Sequence, residues 1–225
     1  QRQIRTRVIR AIIIMADSDS NMKFEVFERL NTGSIALNAQ EIRNSTHRGA
    51  MNELIKHLAI TPVFRECIGA PAPRRRMADN ELILRHLALK AGWEKYRPPL
   101  QKFLNEYLEV ANKYTSAELQ STEVDFERAI AGVHAVFGNK AFRLTDRAGG
   151  SLERAINRAL AETQMTVISW VPDVELLRAK RREILEATGS LNEDRVFLDA
   201  IRLATGDRKR TITRLHLYGR ALLAA

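Results

Sequence analysis

The spacing of the apolar residues constrains the fold of this chain most, because they recur every three or four positions through most of its length. The cleanest run marks one helical face that Gly138 closes: Phe126, Ala129, Ile130, Val133, Val136 and Phe137. The same spacing returns at residues 152–160, 174–177, 196–204 and 212–222. Apolar stripes of this kind are buried against other helices. The sequence therefore predicts a mainly α-helical fold, a helical bundle.

One segment departs from the helical pattern. Residues 8–15 are apolar and rich in β-branched side chains with little polar alternation, which indicates a short strand buried on both faces. A helix is predicted over residues 21–30. Asn38 and Glu41 then have the spacing of a capping box, which predicts a firm helix start. We expect one short N-terminal strand followed by helices.

A proline-rich segment divides the chain into two predicted domains, residues 1–70 and 71–225. Pro71 and Pro73 lack the backbone N–H that a helix needs, and each restrains the residue before it. Beyond this linker we expect a helix over residues 79–91 with Gly92 as its stop, and a long one over residues 98–117. The second domain is thus predicted to be entirely helical.

The charge balance favours polyanionic partners. The chain has 36 basic and 27 acidic residues, a formal net charge of +9, and its 27 arginines outnumber its 9 lysines. A guanidinium binds phosphate in a forked geometry, which suits DNA, although a GC-rich genome produces the same bias. Arg74, Arg75 and Arg76 are candidate contacts to a DNA backbone, with a solvated loop as the alternative.

Residue types that build metal centres and disulfides are sparse. Cys67 is the single cysteine, and its apolar neighbours indicate an inert core residue. The histidines do not have the spacing of metal ligands, so no metal site is predicted. The longest apolar run, residues 11–16, is far short of the roughly 20 residues that cross a bilayer. We expect a cytoplasmic protein without a membrane partner and without a cofactor of its own.

A polar loop after the first predicted helix is a candidate phosphate site. Asn31, Thr32 and Gly33 precede a helix whose N-terminal amides attract phosphate, although Asn and Gly also commonly end helices. Arg29, Glu41 and Arg43 flank the loop. The sequence leaves open whether they pair with one another or point at a phosphate.

Two stretches resemble a known family. Residues 24–44, FEVFERLNTGSIALNAQEIRN, resemble the late segment of the N-terminal domain family of GmrSD-type restriction endonucleases. The core of this resemblance is residues 27–33, followed by Leu37 and residues 40–44. A second stretch resembles the start of the helical region that often follows in this family: Arg76, Met77, Ala78 and Asp79, with Glu81, Leu84, Arg85 and Leu87. The resemblance covers the first half of the chain and extends to the rest through its helical character.

Members of this family look like ParB and sulfiredoxin proteins in their N-terminal part, where an Asp-Gly-Gln-Gln-Arg motif lies in a nucleotide-handling site. This sequence lacks the motif. The resemblance therefore implies that residues 1–70 are the C-terminal remnant of a truncated ParB-like α+β domain, to which the predicted strand belongs. We also expect the natural N-terminus to lie elsewhere, since the sequence begins at Gln1.

The resemblance also implies roles for the loop and for the whole protein. Asn31, Thr32 and Gly33 would form the wall of the nucleotide pocket, while Arg29 and Arg43 would buttress it or meet phosphate. We expect a component of a prokaryotic restriction or anti-phage defence protein associated with DNA, with a partner nuclease domain or a second copy. A nucleoside triphosphate and a divalent metal would serve the full-length protein, and this fragment is not expected to be an active enzyme. The alternatives are a non-catalytic helical module that binds nucleic acid or a protein, and the remnant of a decayed gene.

Overall fold

Helices dominate the architecture. The structure is a computed structural model that describes residues 13, 20–31 and 36–225. These residues contain α1 (Ser20–Leu30), α2 (Ala39–Thr46), α3 (Ala50–Leu58), α4 (Pro62–Ile68), α5 (Ala78–Gly92), α6 (Leu100–Ala111), α7 (Ser116–Phe137), α8 (Arg158–Ile168), α9 (Val174–Ala179), α10 (Arg181–Leu191), α11 (Arg195–Arg202) and α12 (Arg208–Ala224). The predicted mainly α-helical fold is confirmed.

The predicted strand lies almost wholly outside the described residues. Of residues 8–15 the structure describes only Ile13, which is in neither a helix nor a strand. Extended pairing within the described part is limited to an isolated antiparallel bridge between Thr145 and Ser151.

Polar side chains fix where several helices begin. The predicted capping box of α2 is present: the Asn38 side chain accepts the amides of Gln40 and Glu41, and the Glu41 carboxylate accepts the Asn38 amide. Aspartates cap α9, α11 and α12 in the same way. Each such cap satisfies amide donors that the first turn of a helix leaves without partners.

The single helix predicted over residues 98–117 is wrong, because the chain breaks between α6 and α7. Thr115 adopts an extended backbone, its hydroxyl accepts the Glu118 amide, and the Glu118 carboxylate accepts the Thr115 amide. This second capping box starts α7 at Ser116. A local hydrogen-bonding motif thus overrides the continuous apolar spacing.

The helix predicted to begin at Leu152 begins six residues later, at Arg158. The preceding segment has hydrogen bonds of its own: the Asp146 side chain accepts the amides of Ala148 and Gly150, and the Leu152 amide donates to the Leu144 carbonyl at 2.7 Å. The Asn157 side chain then caps α8. The apolar residues before Arg158 therefore belong to a loop.

A single hydrophobic core runs through the molecule. The 22-residue α7 lies at its centre with α4 and α9 against it, while α5 packs on α8, and α10 and α11 pack on α12. Buried apolar residues connect Met51 on α3 to Tyr218 on α12 without interruption. The domain boundary at residue 70 stays a prediction, and the described core continues across it.

Candidate functional site

The loop after α1 is closed by one asparagine. The Asn31 side chain donates to the Leu37 carbonyl at 2.9 Å and accepts the Leu37 amide at 3.0 Å. Asn31 thereby holds the two ends of the loop together. Thr32 and Gly33, the other predicted pocket residues of this loop, lie outside the described residues.

Glu41 and Arg76 join the two stretches that carry the family resemblance. Arg76 Nη2 lies 3.0 Å from Glu41 Oε2 and also donates to the Ala36 carbonyl, while the Asn38 side chain donates to the Arg76 carbonyl at 2.9 Å. We call these four residues the Arg76 clasp. Its hydrogen bond from the Arg76 guanidinium lowers the pKa of Glu41 below the ordinary 4.5. The clasp keeps Glu41 ionised and fixes the start of α2 beside the linker.

The backbone at the clasp is unusual. Arg76 and Met77 both adopt the left-handed conformation, with φ of 61° and 56°. Two successive non-glycine residues in this region cost free energy that surrounding contacts must offset. The Arg76 hydrogen bonds to Ala36, Asn38 and Glu41 supply such contacts.

Arg43 lies inside the protein rather than at a phosphate site. Its exposed fraction is 2%, its Nε donates to Asn105 Oδ1 at 2.9 Å, and its Nη1 donates to Gln40 Oε1 at 2.7 Å. The guanidinium also lies 5.7 Å from the centre of the Phe24 ring. Burial lowers the pKa of Arg43 to about 10. Arg43 thus links α1, α2 and α6, and its part in a nucleotide pocket stays a prediction.

Arg29 occupies the opposite environment. Its side chain is 82% exposed and lies 3.8 Å from Glu25, one turn earlier on α1. Arg29 lines a cleft of about 550 Å³ between α1 and α6, together with Phe24, Glu25, Glu28, Pro99, Gln101, Lys102 and Asn105. Asn105 connects the floor of this cleft to Arg43. Arg29 therefore lines this cleft, whereas Arg43 contacts its lining residues Asn105 and Phe24 from the buried side.

The three linker arginines have three different environments. Arg74 donates its Nε to the buried carboxylate of Asp79, which also accepts Arg65 Nη1 at 2.9 Å. Arg76 belongs to the clasp. Arg75 is exposed and has no hydrogen bond or ion pair to any residue that the structure describes. Contact of Arg74, Arg75 and Arg76 with DNA stays a prediction, and Arg75 alone of the three has its guanidinium unengaged.

A buried ionic network links three helices and was not predicted from the sequence. Arg85 on α5 contacts Glu81 at 2.6 Å and Glu162 on α8 at 3.2 Å. The other oxygen of Glu162 pairs with Arg214 on α12, and both of these side chains are 1% exposed. The i,i+4 spacing of Glu81 and Arg85 was visible in the sequence. Glu162 offered a second signal, since it is the only acidic residue of α8.

Cys67 is a core residue as predicted. It is fully buried, and burial raises the pKa of its thiol to about 12. The described residues contain no group of three or more potential metal ligands. Among them, no helix is both long and apolar enough to cross a lipid bilayer.

Comparisons with models of protein families, with curated proteins and with solved structures find no match to this chain.

Proposed function

We propose that this chain is a DNA-associated component of a cytoplasmic restriction or anti-phage defence protein of prokaryotes. In this proposal the nucleotide chemistry, with any divalent metal, resides in the N-terminal part of the GmrSD-type domain. The described residues would anchor that part to a helical domain. A nuclease domain or a second copy is the partner that such a protein would need.

The Arg76 clasp is the observation that carries this proposal. The family resemblance rests on two stretches that are separated in sequence by more than thirty residues. Asn38 and Glu41 from the first stretch bind Arg76 from the second. Contact between them is what a shared ancestral unit requires, whereas two chance matches would have no reason to meet.

A non-catalytic helical module that binds nucleic acid is the second candidate. It is favoured by the burial of Arg43, an expected ligand of the nucleotide phosphate, whose guanidinium is engaged by Gln40 and Asn105. The net charge of +9 supports both candidates equally, since it attracts DNA whether or not nucleotide chemistry is attached.

Binding measurements with the whole chain test the proposal. We expect labelled duplex DNA to bind with a salt-sensitive affinity, and ATP and GTP not to bind. Arg75→Ala should weaken duplex binding more than Arg48→Ala, a matched change at another exposed arginine. Absence of duplex binding at low salt contradicts DNA association. Nucleotide binding that Asn31→Ala abolishes would move the nucleotide chemistry into this chain and contradict the proposed division of labour.

A further inference from the structure

A cluster of aromatic rings lies between the end of α5, the end of α8 and α12. The Trp93 and Trp170 ring centroids are 6.1 Å apart, and the Trp93 and His216 centroids are 5.3 Å apart in an edge-to-face arrangement. We call these three residues the aromatic face. Trp170 is 44% exposed, Trp93 is half-buried and His216 is exposed. The rings are therefore packed against one another on one side and open to solvent on the other.

Local backbone geometry holds these rings in place. Gly219 on α12 lets Trp170 approach closely, because a β-carbon there would lie 3.3 Å from the Trp170 ring. Arg208 donates to the carbonyls of Glu94 and Tyr96, which ties the segment after Trp93 to α12. The aromatic face is thus fixed before any ligand arrives, which reduces the entropy lost on binding.

The helix that carries His216 is strongly basic. α12 contains five basic residues and no acidic one. Three of the five are engaged, since Arg214 pairs with Glu162 while Arg208 and Arg210 donate to backbone carbonyls. Lys209 and Arg220 are exposed, and their side chains have no hydrogen bond or ion pair to any described residue. Their helical spacing places them on the same face as His216.

We propose that the aromatic face and the cations beside it bind single-stranded DNA. Solvent-facing aromatic rings stack on unpaired bases, and cations alongside neutralise the phosphates. A duplex hides the faces of its bases, so the rings would contribute nothing to duplex binding. Lys209 and Arg220 are separated by eleven residues of helix, about 16 Å, which fits a strand of a few nucleotides. The inference deepens the proposed DNA association by assigning it a strand form and a site.

Intrinsic fluorescence tests this site directly, because Trp93 and Trp170 are the only tryptophans in the chain. A thymidine oligonucleotide of about 12 residues should quench the emission as it binds, within the range of site sizes known for such surfaces. Duplex DNA should bind without comparable quenching. Trp170→Leu should weaken single-strand binding about fivefold or more, while Trp170→Phe should retain most of the affinity because it keeps a stacking ring.

Charge variants give a second readout that does not depend on the tryptophans. The double change Lys209→Ala and Arg220→Ala should lower the slope of log affinity against log salt by about 1.4, or about 0.7 for each phosphate contact. Arg48→Ala is the matched control, because Arg48 is an exposed arginine that lies between α2 and α3, outside the three segments that form the aromatic face. That control should leave the fluorescence titration unchanged.

Three results would overturn the inference. If anisotropy shows single-strand binding but the tryptophan emission is not quenched, the strand binds elsewhere on the protein. If the double variant has an unchanged slope of log affinity against log salt, Lys209 and Arg220 do not contact the phosphates. Tighter binding of RNA of the same base composition would assign the surface to RNA. If either of the first two results is found but the chain still binds duplex DNA, the proposed function stands and only the single-strand site is wrong. If the chain binds no DNA at all, both proposals are contradicted.

Discussion

Two arginines, Arg43 and Arg76, illustrate how a residue's environment decides its role. Arg43 lies in the last turn of α2 and Arg76 contacts the start of that helix, yet Arg43 is buried among amides and an aromatic ring while Arg76 reaches a carboxylate at the surface. A buried guanidinium without a carboxylate partner depends on each of its hydrogen bonds, since its charge is largely removed from water. The ion pair of Arg76 and Glu41 is partly exposed to water, so it stabilises the fold less than the buried contacts of Arg43 do.

Replacement of Arg43 tests its role as a buttress. Arg43→Ala should lower the free energy of unfolding by about 3 kcal/mol, because it removes packing and leaves Gln40 without its donor. Arg43→Met retains most of the volume and avoids burying a charge, so it should cost about 1 to 2 kcal/mol less. Chemical denaturation of both variants measures the difference. If Arg43→Ala and Arg43→Met lose the same free energy of unfolding, the packing of the Arg43 side chain contributes little to stability.

Glu41 gives a pH-dependent prediction. Because Arg76 lowers its pKa in the folded state, the ionised carboxylate stabilises the fold above about pH 4.5, and this stabilisation is lost as the pH falls through the lowered pKa. Glu41→Gln should therefore be less stable than the natural protein at neutral pH, by less than about 1 kcal/mol. This gap in stability between the natural protein and Glu41→Gln should disappear at acidic pH, where Glu41 is protonated. Denaturation curves at several pH values check this, and a gap independent of pH would contradict it.

The contacts of Glu41, Arg43 and Arg76 were not equally predictable from the sequence. The Asn38 and Glu41 capping box is local, so its spacing alone predicted it correctly. The burial of Arg43 depends on Asn105, 62 residues away, and no local pattern encodes that contact. Arg76 likewise meets Glu41 across 35 residues. Sequence reasoning identified these side chains as important but could not determine their partners.

Glycines and side-chain caps set several of the helix boundaries in this protein. α5 and α7 end beside Gly92 and Gly138, as their sequences predicted. The break before Ser116 depends on a Thr115 and Glu118 capping box that was present in the sequence, although the apolar spacing of residues 98–117 predicted one uninterrupted helix. Periodicity predicts the existence of a helix more reliably than its ends.

Close packing of α10 on the loop before α8 requires a glycine. A β-carbon at Gly189 would lie 2.5 Å from the Arg147 Cα atom and 2.6 Å from the Asp146 carbonyl oxygen, and backbone atoms cannot move aside as a flexible side chain does. Gly189→Ala should therefore destabilise the fold by about 1 to 3 kcal/mol.

The matched control for this change is Gly92→Ala. Gly92 has open space around the position of its missing β-carbon, so alanine there should be neutral or slightly stabilising. Thermal melting of the two variants compares them. A Gly189→Ala variant as stable as the natural protein would mean that α10 and the loop can separate without cost.

At the scale of the whole molecule, the buried ionic network ties three helices together. Glu162 pairs with both Arg85 and Arg214, so Glu162→Ala should leave Arg214 without a carboxylate and Arg85 with Glu81 alone, at a cost of about 3 to 5 kcal/mol. For a chain of this size that is a fall in melting temperature of about 6 to 20 °C. A fall of only one or two degrees would mean that water replaces the carboxylate easily.

The network and the continuous core make the described helices one mechanical unit. The apolar spacing predicted the bundle, because the apolar face of each helix must be buried against another helix. Which stripes meet could not be predicted, since the contacts of α7 with α4 and α9 join segments far apart in sequence. Such a bundle can hold a basic surface and an aromatic face at fixed positions, as DNA association requires.

The salt dependence of DNA affinity in the natural chain tests the central claim of DNA association most directly. Binding of a labelled duplex, followed by fluorescence anisotropy, should weaken at least tenfold or so between about 50 and 200 mM salt, as expected for two or more phosphate contacts. An affinity that does not change with salt, or no binding at the lowest salt, would contradict the claim.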